Sequence, residues 1–91
     1  MTKKITTAQK QVIAEVAATR AVGEIKQGYT PSTFRCIKIT LQTLRPDCFD
    51  NDEMLISRTQ YDDLAGRFQE QVKFQLTALA RTGWKFTPVK H

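Results

Sequence analysis

The residues able to do chemistry are few in this chain of 91 residues, and their spacing works against their doing it. The single histidine, His91, closes the sequence. That position suits a solvated imidazole better than a general base held in register. Cys36 and Cys48 have no histidine placed in an element to take a thiol proton, and they are not a CxxC pair. With one histidine and two cysteines, no four-ligand zinc site can be built from imidazole and thiols within one chain. Asp47, Asp50, Asp52, Glu53, Asp62 and Asp63 make one acidic cluster, to which magnesium would be the natural cation. The plainer use of these carboxylates is a solvated surface and favourable charge at a helix start. No glycine-rich phosphate loop or dinucleotide fingerprint is present. The expectation is a non-enzyme with no catalytic residue, no metal and no cofactor.

Binding is the chemistry the remaining residues suit. Near the end of the chain, Arg67, Gln71, Phe74, Ala78 and Arg81 share a helical face roughly 120° from the core stripe of the same helix. Phe74 is the odd member, an aromatic outside the main seam with an arginine two helical turns to either side. Aromatic anchors flanked by arginine are common in binding hot spots. Trp84 and Phe86 follow, either as a lid on the core or as an extension of the patch. The protein-binding set is therefore Arg67, Gln71, Phe74, Arg81, Trp84 and Phe86. Core packing of Phe74 against the first helix or the linker competes with this reading, and a homodimer would use the same face.

A second set could meet nucleic acid. Lys3 and Lys4 form a basic end, and Arg35, Lys38, Gln42 and Arg45 line one side of the second helix. The short turn between helices 1 and 2 is loosely similar to the first half of a helix-turn-helix. The third helix, however, lies beyond an acidic linker and is much longer than a recognition helix. Charge is also uneven. Residues 1–45 carry eight basic and two acidic side chains, 46–63 carry one and six, and 64–91 carry five and one. An acidic block between basic ones suits a protein partner of mixed charge better than a polyanion. The leading expectation is an adaptor or inhibitor of a larger protein, which could itself be one that handles nucleic acid. A small basic DNA- or RNA-binding regulator is the alternative.

The elements that must position these residues are helical. Periodicity and caps predict an all-α fold of a single domain, with helices over about 7–27, 31–44 and 59–82, an acidic linker 46–57 and an aromatic-basic tail 84–91. In the first helix Val12, Val16, Thr19 and Val22 form the expected core stripe, which Ile13, Ala17 and Ala21 widen. Ala14 and Ala18 would allow another helix close, and Gly23 would mark such an approach. Gly28 ends the helix. Thr30 as cap and Pro31 at the first helical position start the second helix, stapled by Tyr29 and Phe34. Its buried face reads Phe34, Ile37, Leu41 and Leu44. Cys48, Phe49, Met54, Leu55 and Ile56 fold back as a lid, with a helical turn over Asp52–Ile56; docking of Met54-Leu55-Ile56 on a partner is the competing use. Ser57 or Thr59 opens the long third helix, whose seam is Tyr61, Leu64, Ala65, Phe68, Val72, Leu76 and Leu79 and whose stop is Gly83. No apolar segment long enough to span a bilayer is present, and the basic start is not followed by a signal-peptide core. A reducing cytoplasm with no membrane contact is the expected setting.

Overall fold

The computed structural model describes residues 2–84. Phe86 and His91 lie outside them. Three helices, α1 (Thr7–Lys26), α2 (Thr33–Leu44) and a longer α3 (Arg58–Ala80), make a small all-α fold. Gln11 of α1 meets Arg67 of α3, and Thr19 meets Gln75, so these two helices run parallel. Glu24 meets Arg35 and Gln9 meets Arg45, so α2 runs antiparallel to both in an up-down-up order. Among the described residues, no helix is long and apolar enough to cross a membrane.

Local hydrogen-bond chemistry sets the helix ends. The Thr6 hydroxyl accepts from the Gln9 N–H at 3.1 Å, and the Gln9 side chain accepts from the Thr6 N–H at 3.1 Å, a complete capping box. The Ser57 hydroxyl accepts from the Gln60 N–H at 3.2 Å and starts α3. Both α1 and α3 end at a glycine with φ of 90°, Gly28 and Gly83. The following N–H reaches back across the last turn in each case, Tyr29 to Glu24 at 3.0 Å and Trp84 to Leu79 at 3.4 Å.

The second helix starts later than its sequence suggests. Ser32, not Thr30, is the cap, its hydroxyl accepting from the Arg35 N–H at 3.3 Å. The chain must first run on from the glycine turn at Gly28, and Pro31 favours extended backbone at Thr30. The later start makes Cys36, rather than Phe34, the fourth helical residue, so the Tyr29–Phe34 staple does not form. Phe34 instead meets Tyr61 of α3 with ring centroids 5.9 Å apart.

The core is built on a column of alanines. Ala14, Ala17, Ala18 and Ala21 of α1 are all fully buried, with Ile13 and Val22 beside them. Cys36, Ile37, Thr40 and Leu41 face them from α2, and Leu64 and Phe68 from α3. This corrects the expected stripes: Val12 and Val16 are 51% and 43% exposed, and Phe34 and Leu44 are 52% and 43% exposed. Methyl groups let two neighbouring helices come close to α1, and that packing selects the alanine face over the more apolar valine face. On α3, Val72, Leu76 and Leu79 are only half-buried.

The linker closes one end of the bundle. Residues Pro46–Cys48 form a 3-10 turn, followed by a small antiparallel hairpin of β1 (Phe49–Asp50) and β2 (Glu53–Met54). The hairpin replaces the expected helical turn, and Asn51 at φ 58° begins the reversal. Cys48 is fully buried, and Phe49, Met54 and Ile56 pack on the core, so this segment is a lid rather than a free docking loop. Leu55 donates to the Cys48 carbonyl and accepts from the Lys3 N–H, both at 2.6 Å. The Gln60 side-chain amide grips the same N-terminal segment as another peptide group would. Its carbonyl accepts from the Ile5 N–H at 2.8 Å, and its NH2 donates to the Lys3 carbonyl at 2.6 Å.

Two substitutions probe these contacts. Gln60→Ala leaves two half-buried backbone groups without their partner and should cost about 1–3 kcal/mol in a denaturant titration. The Thr40 hydroxyl is buried with no hydrogen-bond partner among the described residues. Thr40→Val keeps the shape and removes that hydroxyl, so the thermal midpoint should rise, by roughly 4–8 °C for each kcal/mol recovered.

Candidate protein-binding surface

Both cysteines are enclosed. Cys36 and Cys48 are fully buried free thiols. Burial pushes both thiols above their ordinary range, and for Cys36 the adjacent Glu24 carboxylate adds to the effect. Such groups stay protonated and poorly nucleophilic. Three carboxylates of the acidic cluster form ion pairs, and Asp50, Asp52 and Glu53 lie exposed on the hairpin. Asp47 holds Arg45 at 2.8 Å, Asp62 holds Arg58 at 3.1 Å, and Asp63 bridges Lys10 at 3.1 Å and Arg67 at 3.0 Å. Asp62 and Asp63 thus serve side-chain pairing beyond the first turn of α3, which begins at Arg58. No group of three or more His, Cys, Asp or Glu among the described residues could hold a metal ion.

The basic stripe of α2 is also largely engaged. Arg35 pairs with Glu24 of α1. Arg45 donates to both carboxylate oxygens of Asp47, at 2.9 and 2.8 Å, and to Gln9 at 2.9 Å and the Lys4 carbonyl at 3.4 Å. Lys38 and Gln42 lie between them, half-buried. Lys3 and Lys4 sit at the Arg45 end, and Arg35 sits at the other end of α2. Both arginines of the stripe therefore carry structural contacts, Arg35 to α1 and Arg45 to Gln9, Asp47 and the N-terminal segment.

The aromatic-basic face of α3 divides into parts. Arg67 donates to Asp63 and to Gln11 at 3.0 Å each, so it fastens α3 to α1. Gln71 lies near it, half-buried, beside a polar recess. Phe74 is 70% exposed, the most exposed large apolar side chain among the described residues. It forms one wall of a groove of about 570 Å³ between α1 and α3, whose apolar surface also comes from Val22, Gly23, Ala78 and Leu79. Arg81 is exposed as the cap residue of α3. Trp84 lines a different recess, with Ile25, Tyr29, Pro31 and Leu76 at the α1–α2 turn. Phe74 and Leu76 project about 160° apart around α3, so Trp84 belongs to the bundle end and does not enlarge the Phe74 patch.

The valines of α1 add a part the sequence reading did not assign to binding. Val12, Val16, Thr19 and Gly23 follow one another at spacings of three and four residues, so they share one face of α1. With the alanines turned inward, this face points out, and Thr19 and Gly23 continue it into the Phe74 groove. A second small recess, lined by Ala8, Val12 and Leu44, opens on the same face near the start of α1. Two competing apolar stripes on one helix were visible in the sequence. What was missing was the choice of the smaller side chains for the inside.

Comparison with family models, with characterised proteins and with solved structures finds no match for this chain.

The ion pairs make acid stability testable. Hydrogen bonds from Lys10 and Arg67 hold the Asp63 carboxyl below its ordinary value of 3.8, and Arg45 does the same for Asp47. A carboxylate depressed in the folded state contributes stability that is complete above the unfolded value and is lost as pH falls through the folded one. Thermal midpoints between about pH 2 and 6 should fall more steeply with acid in the native protein than in Asp63→Asn.

Proposed function

We propose that the chain is a non-catalytic protein-binding module, an adaptor or inhibitor that acts by occupying a surface of a larger protein. The observation that carries this reading is Phe74, 70% exposed on the wall of an apolar groove beside the outward valine face of α1. Scattered apolar residues on a surface need no explanation, but a contiguous patch with an aromatic at its edge is a common mark of a docking site. Covering the Phe74 ring would contribute about 1.5–3 kcal/mol, enough to dominate a small interface. The buried thiols, the dispersed carboxylates and the engaged arginines of α2 support a surface that binds rather than reacts. Larger partners that handle nucleic acid are within this reading, since a basic inhibitor can occupy an acidic face of such a protein.

The test is co-purification. A stoichiometric protein partner, insensitive to nuclease, should be retained by the native chain and lost by Phe74→Glu, with an unchanged thermal melt for the variant because the ring is outside the core. A salt-sensitive shift of DNA that Arg35→Ala and Lys38→Ala abolish would select nucleic-acid binding instead.

A further inference from the structure

Resting on the protein-binding reading above, we infer that the groove between α1 and α3 receives an acidic amphipathic helix of the partner, with an apolar side chain of that helix seated against Phe74. The shape argument starts from the walls. They are two parallel helices, and the groove surface between them includes small residues, Thr19, Gly23 and Ala78. A third helix can approach such a surface closely, its ridge of side chains entering the groove. Gly23 lies in the groove, and it shares its open surroundings with Gly66 of α3, outside it. A Cβ added at Gly23 would meet nothing within 4 Å, so no contact inside the chain requires a glycine. Mid-helix glycine is unfavourable relative to alanine. Its absent side chain acquires a use once another helix lies over it.

Charge selects the sign of the occupant. Lys26 lines the groove and Arg81 lies two turns after Phe74 on the same side of α3; both are exposed, and neither has an ion pair among the described residues. In residues 19–26 and 73–82 the one acidic side chain is Glu24, and Arg35 already occupies it, while the exposed Glu15 and Glu70 lie one turn before Thr19 and Phe74, so the basic character belongs to the Lys26 and Arg81 end of the groove. The groove is thus an apolar trough with a basic rim at that end, complementary to a helix with an apolar stripe and flanking carboxylates. A second copy docking through the same groove about a two-fold axis would set this rim against itself. The groove-forming stretch of α3, residues 74–82, covers about two turns, so the partner's anchors should fall at i, i+3 or i+4, and i+7.

The experiment is selection from a displayed library of helical peptides of about 18 residues, with apolar, acidic and basic residues allowed at every exposed position, against the full chain. The selected peptides should be acidic, carry apolar residues at the spacing above, and shift the amide resonances of Gly23, Phe74 and Thr82. Phe74→Glu should weaken the selected peptide roughly 10- to 100-fold. Gly23→Leu should leave the thermal melt unchanged or higher while weakening binding at least roughly tenfold, the opposite pairing to a residue needed only for folding. Reversing Lys26 and Arg81 to glutamate should turn the preference toward basic peptides. Selection of neutral or basic peptides by the native chain, or resonance shifts confined to α2, would overturn the inference. So would self-association that Phe74→Glu abolishes, or binding of single-stranded DNA at these same residues. If acidic peptides fail while the co-purifying partner is still lost by Phe74→Glu, the occupant assigned here is wrong and the protein-binding reading stands. If no partner depends on Phe74 either, both fall.

Discussion

The alanine column of α1 is the constraint on which the other contacts depend. Ala14, Ala17, Ala18 and Ala21 are fully buried, and α1 is the helix against which both α2 and α3 pack. Methyl side chains leave little volume to fill, so the facing helices must come close. Closeness then decides which residues face in: Ile37 and Leu41 from α2, and Leu64 and Phe68 from α3, already occupy the space. Van der Waals contact is sensitive to sub-ångström gaps, so a larger residue in the column would force the helices apart and not simply add apolar area. The same arithmetic explains the exterior. A core this narrow cannot admit Val12, Val16, Phe34 or Phe74, and they remain on the surface.

The end caps were legible in the sequence because they are local. Thr6 with Gln9, Ser57, Gly28 and Gly83 each act through hydrogen bonds or backbone angles spanning a few residues; the two glycines end their helices where the sequence places them, and of Ser57 and Thr59 it is Ser57 that caps α3. The start of α2 was placed two residues early, at Thr30, by the same local chemistry. Thr30 and Ser32 offer the same hydroxyl chemistry, and only the path out of the Gly28 turn separates them. The inward face of α1 was not legible. Both the valine and the alanine stripe have helical spacing, and hydrophobicity favours the first while interhelical distance favours the second. Distance is a property of three helices together, which periodicity along one helix does not contain. The hairpin was missed because its strands, Phe49–Asp50 and Glu53–Met54, are too short to show alternation. Of the binding set, Phe74 was legible as an aromatic off the seam. The pairing of Arg67 with Gln11 was not legible, since it depends on how α1 lies against α3.

The lower end of the bundle has the opposite character to the groove. There the Gln60 amide, the Leu55 backbone and the 3-10 turn at Cys48 knit the N-terminal segment to the linker, and Arg45 joins α2 to both. Asp63, Lys10, Arg67 and Gln11 clamp α1 to α3 one to two turns higher. Polar contacts therefore fix the relative position of α1 and α3 from the end where the two helices begin. Farther along, the single side-chain hydrogen bond from Gln75 to Thr19 continues the register. A groove whose walls are held by contacts within the chain is formed before any partner arrives. Less ordering is then left to oppose association.

That arrangement also bears on how a short groove could support a specific complex. Two turns of helix on each wall cover less than the roughly 800 Å² per partner of a standard interface. The outward face of α1 supplies more, since Val12 to Lys26 runs about 21 Å along the helix and carries Val16 between. An interface assembled this way has one aromatic anchor, a shallow valine track and a basic rim. The three contribute differently. Burial of the ring and of the valines governs how slowly a complex separates, whereas the unpaired cations act mainly on the encounter and on which partners are refused. Of the surplus apolar residues that the alanine column keeps out of the core, Val12, Val16 and Phe74 thus lie on the same side of the molecule as Lys26 and Arg81, which have no ion pair among the described residues. A core built with the valines inward would have removed that surface along with the surplus.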